Sequence, residues 1–239
     1  MLRAELCADR AMVRRFERGV HAASRIAHPN VARVGSLERL PNGTPFCTME
    51  LLVGLDLADT LAYARRLETR RAVRIADGIA AGLAAAHAEG VVHLDVKPEN
   101  VFLVHQADGR EAVKLLDFGV ASLPGEGRAK LVDAACCTPE YMAPEQRRGV
   151  PATPAMDVYA LGATLLEMLT GHPPSAASAP WPGMPPSKDV PPKLAHVLDR
   201  ALARDPEARF ASMVDLRAAL LAAVEDLLPP SARSANAGR

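Results

Sequence analysis

The chain has 239 residues, room for one large domain or two small ones, and 49% of them are hydrophobic against 23% charged. That balance supports a packed core and excludes an intrinsically disordered chain. The 28 basic and 28 acidic residues cancel, so no net field selects nucleic acid or an anionic membrane as a partner.

Residues 12 to 25 are charged and Ala-rich, with Val13, Phe16, Val20 and Ala23 at helical spacing, which predicts an amphipathic helix. His28-Pro29-Asn30 ends it, because the residue before proline is pushed out of helical geometry. Val31 to Leu40 and Pro45 to Leu52 read as two strands joined by the turn Pro41-Asn42-Gly43. Asp56 to Leu67 is a short helix and Thr69 to Glu89 a longer one, with Val73, Ala76, Ile79, Ala80, Leu83 and Ala86 on one face. Gly90 stands where that helix stops. Val101 to Val104 and Ala112 to Leu116 form two short strands around Ala107-Asp108-Gly109. A loop runs from Asp117 to about Pro154, followed by an apolar helix from Ala155 to Thr170 that Gly171 closes. The prolines between residues 172 and 192 exclude a stable helix there. Helices return at Pro192 to Ala203 and Met213 to Leu228, and the apolar-poor tail from Pro229 to Arg239 reads as disordered. Strands first and helices after give a small mixed layer on a helical body, an α+β arrangement.

Aromatics make up 4% of the chain, which leaves the interior to Leu, Ala and Val. Cys7, Cys47, Cys136 and Cys137 show no metal-ligand spacing and read as reduced thiols. No signal pattern opens the chain, and the apolar span from Val158 to Leu169 is broken by Glu167 and too short to cross a bilayer. The chain reads as soluble and cytoplasmic, with no membrane segment and no nucleic-acid partner. Arg65, Arg66, Arg70, Arg71 and Arg74 read as a solvated helix face. One reading of Asp205 and Glu207 is helix amino-terminal charge only.

The chemistry concentrates in His93-Leu94-Asp95-Val96-Lys97-Pro98-Glu99-Asn100 and in Asp117-Phe118-Gly119 behind a strand. Together they supply two carboxylates, an amine and a carboxamide. Phosphoryl transfer needs that inventory: a carboxylate to take the hydroxyl proton, a cation against the moving phosphoryl group, and hard oxygens for magnesium.

With these motifs the chain resembles the eukaryotic-type Ser/Thr protein kinases, including their bacterial members. Thr138-Pro139-Glu140-Tyr141-Met142-Ala143-Pro144-Glu145 is similar to the family's substrate-site loop. Asp157-Val158-Tyr159-Ala160-Leu161-Gly162 is similar to the start of its central helix, and Asp205-Pro206-Glu207-Ala208-Arg209-Phe210 to its late Arg motif. The blocks stand in family order over roughly residues 12 to 228.

The resemblance implies ATP and Mg2+ as cofactors and a protein substrate bearing Ser or Thr, and leaves the oligomeric state open. It implies Asp95 as catalytic base, Lys97 as the phosphate contact, and Asn100 and Asp117 as magnesium ligands. Thr138 would hydrogen-bond Asp95 and Lys97. Thr48 to Leu52 would be the hinge that meets adenine, through Met49 and the backbone of Glu50 and Leu52, with Phe102 beneath the base. His93 would pack on Phe118, Glu145 would pair with Arg209 in the interior, and Asp157 would brace the catalytic loop. The implied fold is two-lobed. A partial small lobe (1–54) holds a helix, two strands and the hinge; a mostly helical large lobe (55–228) and a tail (229–239) follow.

Four departures from the family pattern stand out. The Gly-rich loop and the strand bearing the phosphate-anchoring Lys have no counterpart, so the small lobe is expected to lack its first strands. Gly19 stands where the helix carries the Glu partner of that Lys. Leu94 replaces the Arg that receives an activation-loop phosphate, and that loop has Ser122, Thr138 and Tyr141 as its hydroxyl residues, none suitably placed. A Pro-rich stretch from Pro173 to Pro192 takes the place of a docking helix. These departures also frame a second expectation: a pseudokinase or truncated kinase acting as a binding or scaffold domain.

Overall fold

The structure, a computed structural model, describes residues 7–106, 108–118, 139–174 and 190–225. Helix α1 (Arg10–Ser24) leads into an antiparallel hairpin of β1 (Val34–Arg39) and β2 (Pro45–Met49). The turn residue Asn42 accepts a hydrogen bond from the Thr44 amide at 3.0 Å, the local backbone mimicry that favours Asn in turns. Helix α1 buries Val20, Ala22 and Ala23, and its Glu17 pairs with Arg39 of β1. A second, three-stranded sheet, β3 (Gly54–Asp56), β4 (Val101–His105) and β5 (Glu111–Leu115), runs antiparallel in that order. The large lobe adds α2 (Leu57–Ala64), α3 (Thr69–Ala88), α4 (Pro144–Arg147), α5 (Pro154–Thr170), α6 (Pro192–Ala201) and α7 (Met213–Val224).

Helix α5 is buried on most of its sides, with Leu161, Leu165 and Met168 fully withdrawn from solvent, which is the pattern of a helix at the centre of a domain rather than on its surface. Its end is fixed by backbone crowding. Gly171 sits at φ 80°, where a Cβ would stand 2.7 Å from the Arg65 carbonyl, so only glycine closes this helix against the end of α2. The Ala face of α3 lies against α5 and α7, and small side chains there let the helix axes approach closely. One buried cluster runs from Ala22, Ala23 and Ile26 through Leu83 and Leu165 to Val224. Leu, Ala and Val supply most of it, as the scarcity of aromatics requires.

Three elements differ from the sequence expectation. Strand β3 was not expected, because three residues carry no period; its partner β4 defines it, with Gly54 opposite Val104 and Asp56 opposite Phe102. Helix α4 lies inside the expected loop and starts at Pro144, a residue suited to the first helical position. The β2 ladder stops at Met49, short of the expected Leu52. The tail from Pro229, residues 175–189 of the Pro-rich stretch, Ser122, Thr138, Gly119 and the pair Cys136-Cys137 lie outside the described residues.

Candidate active site

The loop from His93 to Asn100 is held from below by one carboxylate. Asp157 has no solvent exposure and accepts from the His93 amide at 2.9 Å, the Leu94 amide at 2.8 Å and His87 Nε2 at 2.8 Å. Burial opposes its ionisation, but the His87 hydrogen bond and the charges and amides around it prevail and hold the carboxyl below the usual range. A depressed folded-state pKa makes the unfolded chain the better proton acceptor. Its stabilisation is therefore present above the unfolded value of about 3.9 and disappears as pH falls through the folded one. Acid titration followed by circular dichroism should show wild-type stability falling below about pH 4 more steeply than that of Asp157→Asn. Parallel curves would remove Asp157 from this role.

His93 is fully buried, with Nε2 3.0 Å from the Leu116 carbonyl and its ring centroid 4.5 Å from that of Phe118. This ties the loop to the exit of β5. Leu94 takes a left-handed backbone at φ 67°, costly for a bulky residue and retained only where the surroundings enforce it. Its side chain fills an apolar cluster with Val92, Ala143 and Met156, and Gln146 Nε2 donates to its carbonyl at 2.8 Å. A guanidinium in this oily pocket would be poorly solvated, so leucine suits the site as built.

Those constraints deliver the polar groups. Asp95 Oδ2 accepts from Asn100 Nδ2 at 2.9 Å and lies 3.1 Å from Lys97 Nζ. Asn100 Nδ2 also donates to the Asp95 carbonyl at 2.8 Å. The Asn100 amide nitrogen is thus committed, and its Oδ1 is the part left for a hard cation. The Leu116 amide donates to the Asn100 carbonyl at 2.9 Å, placing Asp117 directly after that junction at a left-handed φ of 51°. Two oxygen side chains completed by nucleotide phosphates match how magnesium is usually held, so the donor set fits that ion.

The other predicted site residues lie on the neighbouring strands. Phe102, half-buried on β4, follows Asn100 by two residues and pairs across the sheet with both Asp56 and Lys114. Met49 ends β2 half-exposed. The Glu50 amide donates to the Arg33 carbonyl at 3.0 Å. Leu51 is 92% exposed while Leu52 turns partly inward. Gly54 follows at φ 156°, where a Cβ would meet the Leu103 carbonyl at 1.9 Å; glycine lets the chain from the hinge cross so close to β4. Sequence reasoning missed Lys114, whose Nζ lies 2.7 Å from Glu50 Oε1. Its one signal was a lone cation in the apolar strand before Asp117.

Glu145 and Arg209 pair in the interior at 2.6 and 2.8 Å, and Asp205 caps the turn at Pro206–Ala208 through the Glu207 amide. Gly19 is buried in α1. A family model described as "Protein kinase domain" matches residues 7–219. The chain belongs to the protein kinase family.

Among curated relatives of this kinase domain, serine/threonine-protein kinase PkaB of Streptomyces coelicolor is 37% identical, over 96% of this chain and 56% of that protein. Serine/threonine-protein kinase pkn3 of Myxococcus xanthus is 34% identical, over 93% of this chain and 44% of that protein. Serine/threonine-protein kinase PknB of Mycolicibacterium smegmatis is also 34% identical, over 96% and 39%. The chain therefore spans about half, or less, of the length of these relatives. The PknI kinase domain of Mycobacterium tuberculosis superposes with a TM-score of 0.72 at 31% identity, covering 93% of this chain and 83% of that one. The small-sheet lobe and helical large lobe are thus the protein-kinase fold. No helix among the described residues is long and apolar enough to cross a membrane.

Proposed function

We propose that this domain transfers the γ-phosphoryl group of ATP to Ser or Thr hydroxyls of protein substrates, in the cytoplasm where that nucleotide is abundant. One observation carries the reading: Asp95, Lys97 and Asn100 converge within hydrogen-bond reach on a loop that Asp157 anchors, with Asp117 at the adjoining strand exit. Asp95 is the base that accepts the hydroxyl proton, and the Asn100 amide holds its carboxylate in one orientation. Lys97 sits 3.1 Å from Asp95, so its ammonium meets the phosphoryl oxygens as the hydroxyl attacks. Asn100 Oδ1 and the Asp117 carboxylate would hold Mg2+, which would neutralise charge on the nucleotide phosphates. Phe102 lies beneath the adenine, and Met49 with the backbone of Glu50 and Leu52 borders it. Residues 1–54 serve as the small lobe and 55–228 as the large one. A cleft of about 800 Å³ beside Glu99, Tyr141 and Glu167 opens next to the catalytic loop and gives a polypeptide room to approach.

The test is transfer of labelled γ-phosphate to a Ser/Thr-containing protein such as casein. Labelled phosphoserine or phosphothreonine is expected with Mg2+, none with excess EDTA, and recovery when Mg2+ is restored. Label on Tyr alone, or no magnesium-dependent label, overturns the reading.

A further inference from the structure

Residues 30 to 33 run beside the exit of β5 and are stitched to it by two backbone bonds. The Leu115 amide donates to the Asn30 carbonyl at 2.8 Å, and the Ala32 amide to the Leu115 carbonyl at 2.9 Å. Asn30 Nδ2 adds a third bond, to the Val113 carbonyl at 2.9 Å. Arg33, next in the chain, exchanges two bonds with Glu50. The Glu50 amide donates to the Arg33 carbonyl at 3.0 Å, and the Arg33 amide to Glu50 Oε1 at 2.8 Å. Lys114, one residue before Leu115, closes the ring: its Nζ lies 2.7 Å from the same Oε1. The ring therefore passes from β5 through residues 30–33 to Glu50 and back to β5.

The position of Lys114 in the sheet matters as much as the ion pair. It stands directly opposite Phe102 on β4, and residues paired across an antiparallel ladder project to the same face. The residue assigned beneath the base and the cation that grips the hinge thus share one face of the sheet. Both partners of the pair are largely withdrawn from solvent, at 18% and 22% side-chain exposure, so water screens it less than a surface pair. Hydrogen bonding from Lys114, and then from the Arg33 amide, holds the Glu50 carboxyl below its usual range, so Glu50 is a carboxylate at neutral pH.

We propose that Lys114 is a positioning residue for nucleotide recognition: through Glu50 it fixes the backbone of residues 50–52 over the β4–β5 sheet, so that the Glu50 carbonyl and Leu52 amide meet an adenine edge already in place. The proposal rests on the ATP-dependent reading above. Without the pair, Glu50 keeps its two bonds to Arg33, and through residues 30–33 an indirect tie to β5, but the direct side-chain link from the hinge to β5 is lost. Binding would then have to order the hinge, and affinity falls by that cost. The effect is selective, because guanine carries a carbonyl where adenine carries its amino group and does not complement the same carbonyl and amide.

The test is titration of the folded chain with ATP·Mg2+ and with GTP·Mg2+, followed by NMR. Lys114→Met is expected to weaken ATP about tenfold, the scale of one charge-assisted hydrogen bond, while GTP changes by less than about twofold on the hinge-selective argument. Lys114→Arg should restore most of the ATP affinity, since a cation can still reach Glu50. Should Lys114→Met fail to fold, Glu50→Gln provides the second route: it retains an acceptor for the Arg33 amide, removes the ion pair and should reproduce the selective loss. Equal weakening of both nucleotides would mean a merely structural residue and overturn the proposal, as would unchanged or tighter ATP binding. If the unsubstituted chain bound no ATP, the parent reading would fall and take this one with it. Wild-type binding with an unaffected Lys114→Met would remove the clamp alone.

Discussion

Asp95→Asn should lower phosphotransfer by about a thousandfold, within the usual range for losing a general base, while the domain melts within a few degrees of wild type. The two halves of this expectation have separate causes. The carboxamide has the shape of the carboxylate, and its oxygen can still accept from Asn100 Nδ2, which now donates at 2.9 Å. The loop itself is fixed elsewhere, by Asp157 on the His93 and Leu94 amides and by Gln146 on the Leu94 carbonyl. What disappears is the group proposed to take the proton. Lys97, whose side chain is 14% exposed, also loses its ion pair at 3.1 Å. ATP affinity is therefore expected to stay within about threefold of wild type, so the loss falls on kcat. Steady-state kinetics with a thermal melt on the same preparation check all three quantities. Retained turnover would remove Asp95 from its role, and a fall in ATP affinity matching the fall in rate would recast it as a binding residue.

The parts of this site legible in the sequence are those whose partners sit close in the chain or belong to ordered motifs. Asp95, Lys97 and Asn100 fall within six residues, so one tight turn must bring them together. Asp157, Glu145 and Arg209 are far apart in sequence, and the resemblance supplied their partners; the geometry then supplied the reasons, namely two loop amides for Asp157 and a bidentate fork for Glu145. Helix α3 was readable from its apolar period and α5 from its apolar run, each followed by a glycine.

What stayed hidden depends on contacts no local pattern encodes. The run Leu51-Leu52 looks like a strand continuing from β2. Strand β2 instead ends at Met49, and beyond the Glu50–Arg33 bond Leu51 stands exposed. Strand β3 exists only because β4 is beside it. Lys114 and Glu50 are 64 positions apart, and neither has a neighbour in sequence that points to the other. The departure at Leu94 was legible as a missing Arg, but not as a leucine plug among Val92, Ala143 and Met156.

Arg209→Met should destabilise the domain by about 3–5 kcal/mol, the usual consequence of removing one partner from a buried ion pair. At about 2–4 °C per kcal/mol for a chain of this size, the melting midpoint falls by roughly 6–20 °C. Arg209 has a fully buried side chain, and every donor of its guanidinium has a partner. Nε donates to the Ala203 carbonyl at 2.9 Å, Nη1 to Glu145 and to the Ala155 carbonyl at 2.8 Å, and Nη2 to Glu145 and the Arg204 carbonyl. The Tyr159 ring lies 5.1 Å from its central carbon. Methionine fills much of the volume but strands the Glu145 carboxylate at 4% exposure and leaves three carbonyls without their donor. The double variant Glu145→Leu with Arg209→Met should be less destabilised than the two single variants summed, because neither charge is then left alone. Chemical denaturation of the four proteins measures that coupling. A loss under about 1 kcal/mol for Arg209→Met, the level of an exposed pair, would show that water reaches the site. The consequence extends to the active site: Glu145 anchors α4, and α4 carries the Gln146 amide that holds the Leu94 carbonyl. Loosening the buried pair should therefore slow phosphotransfer at temperatures well below the melting midpoint, through a catalytic loop whose residues are all unchanged.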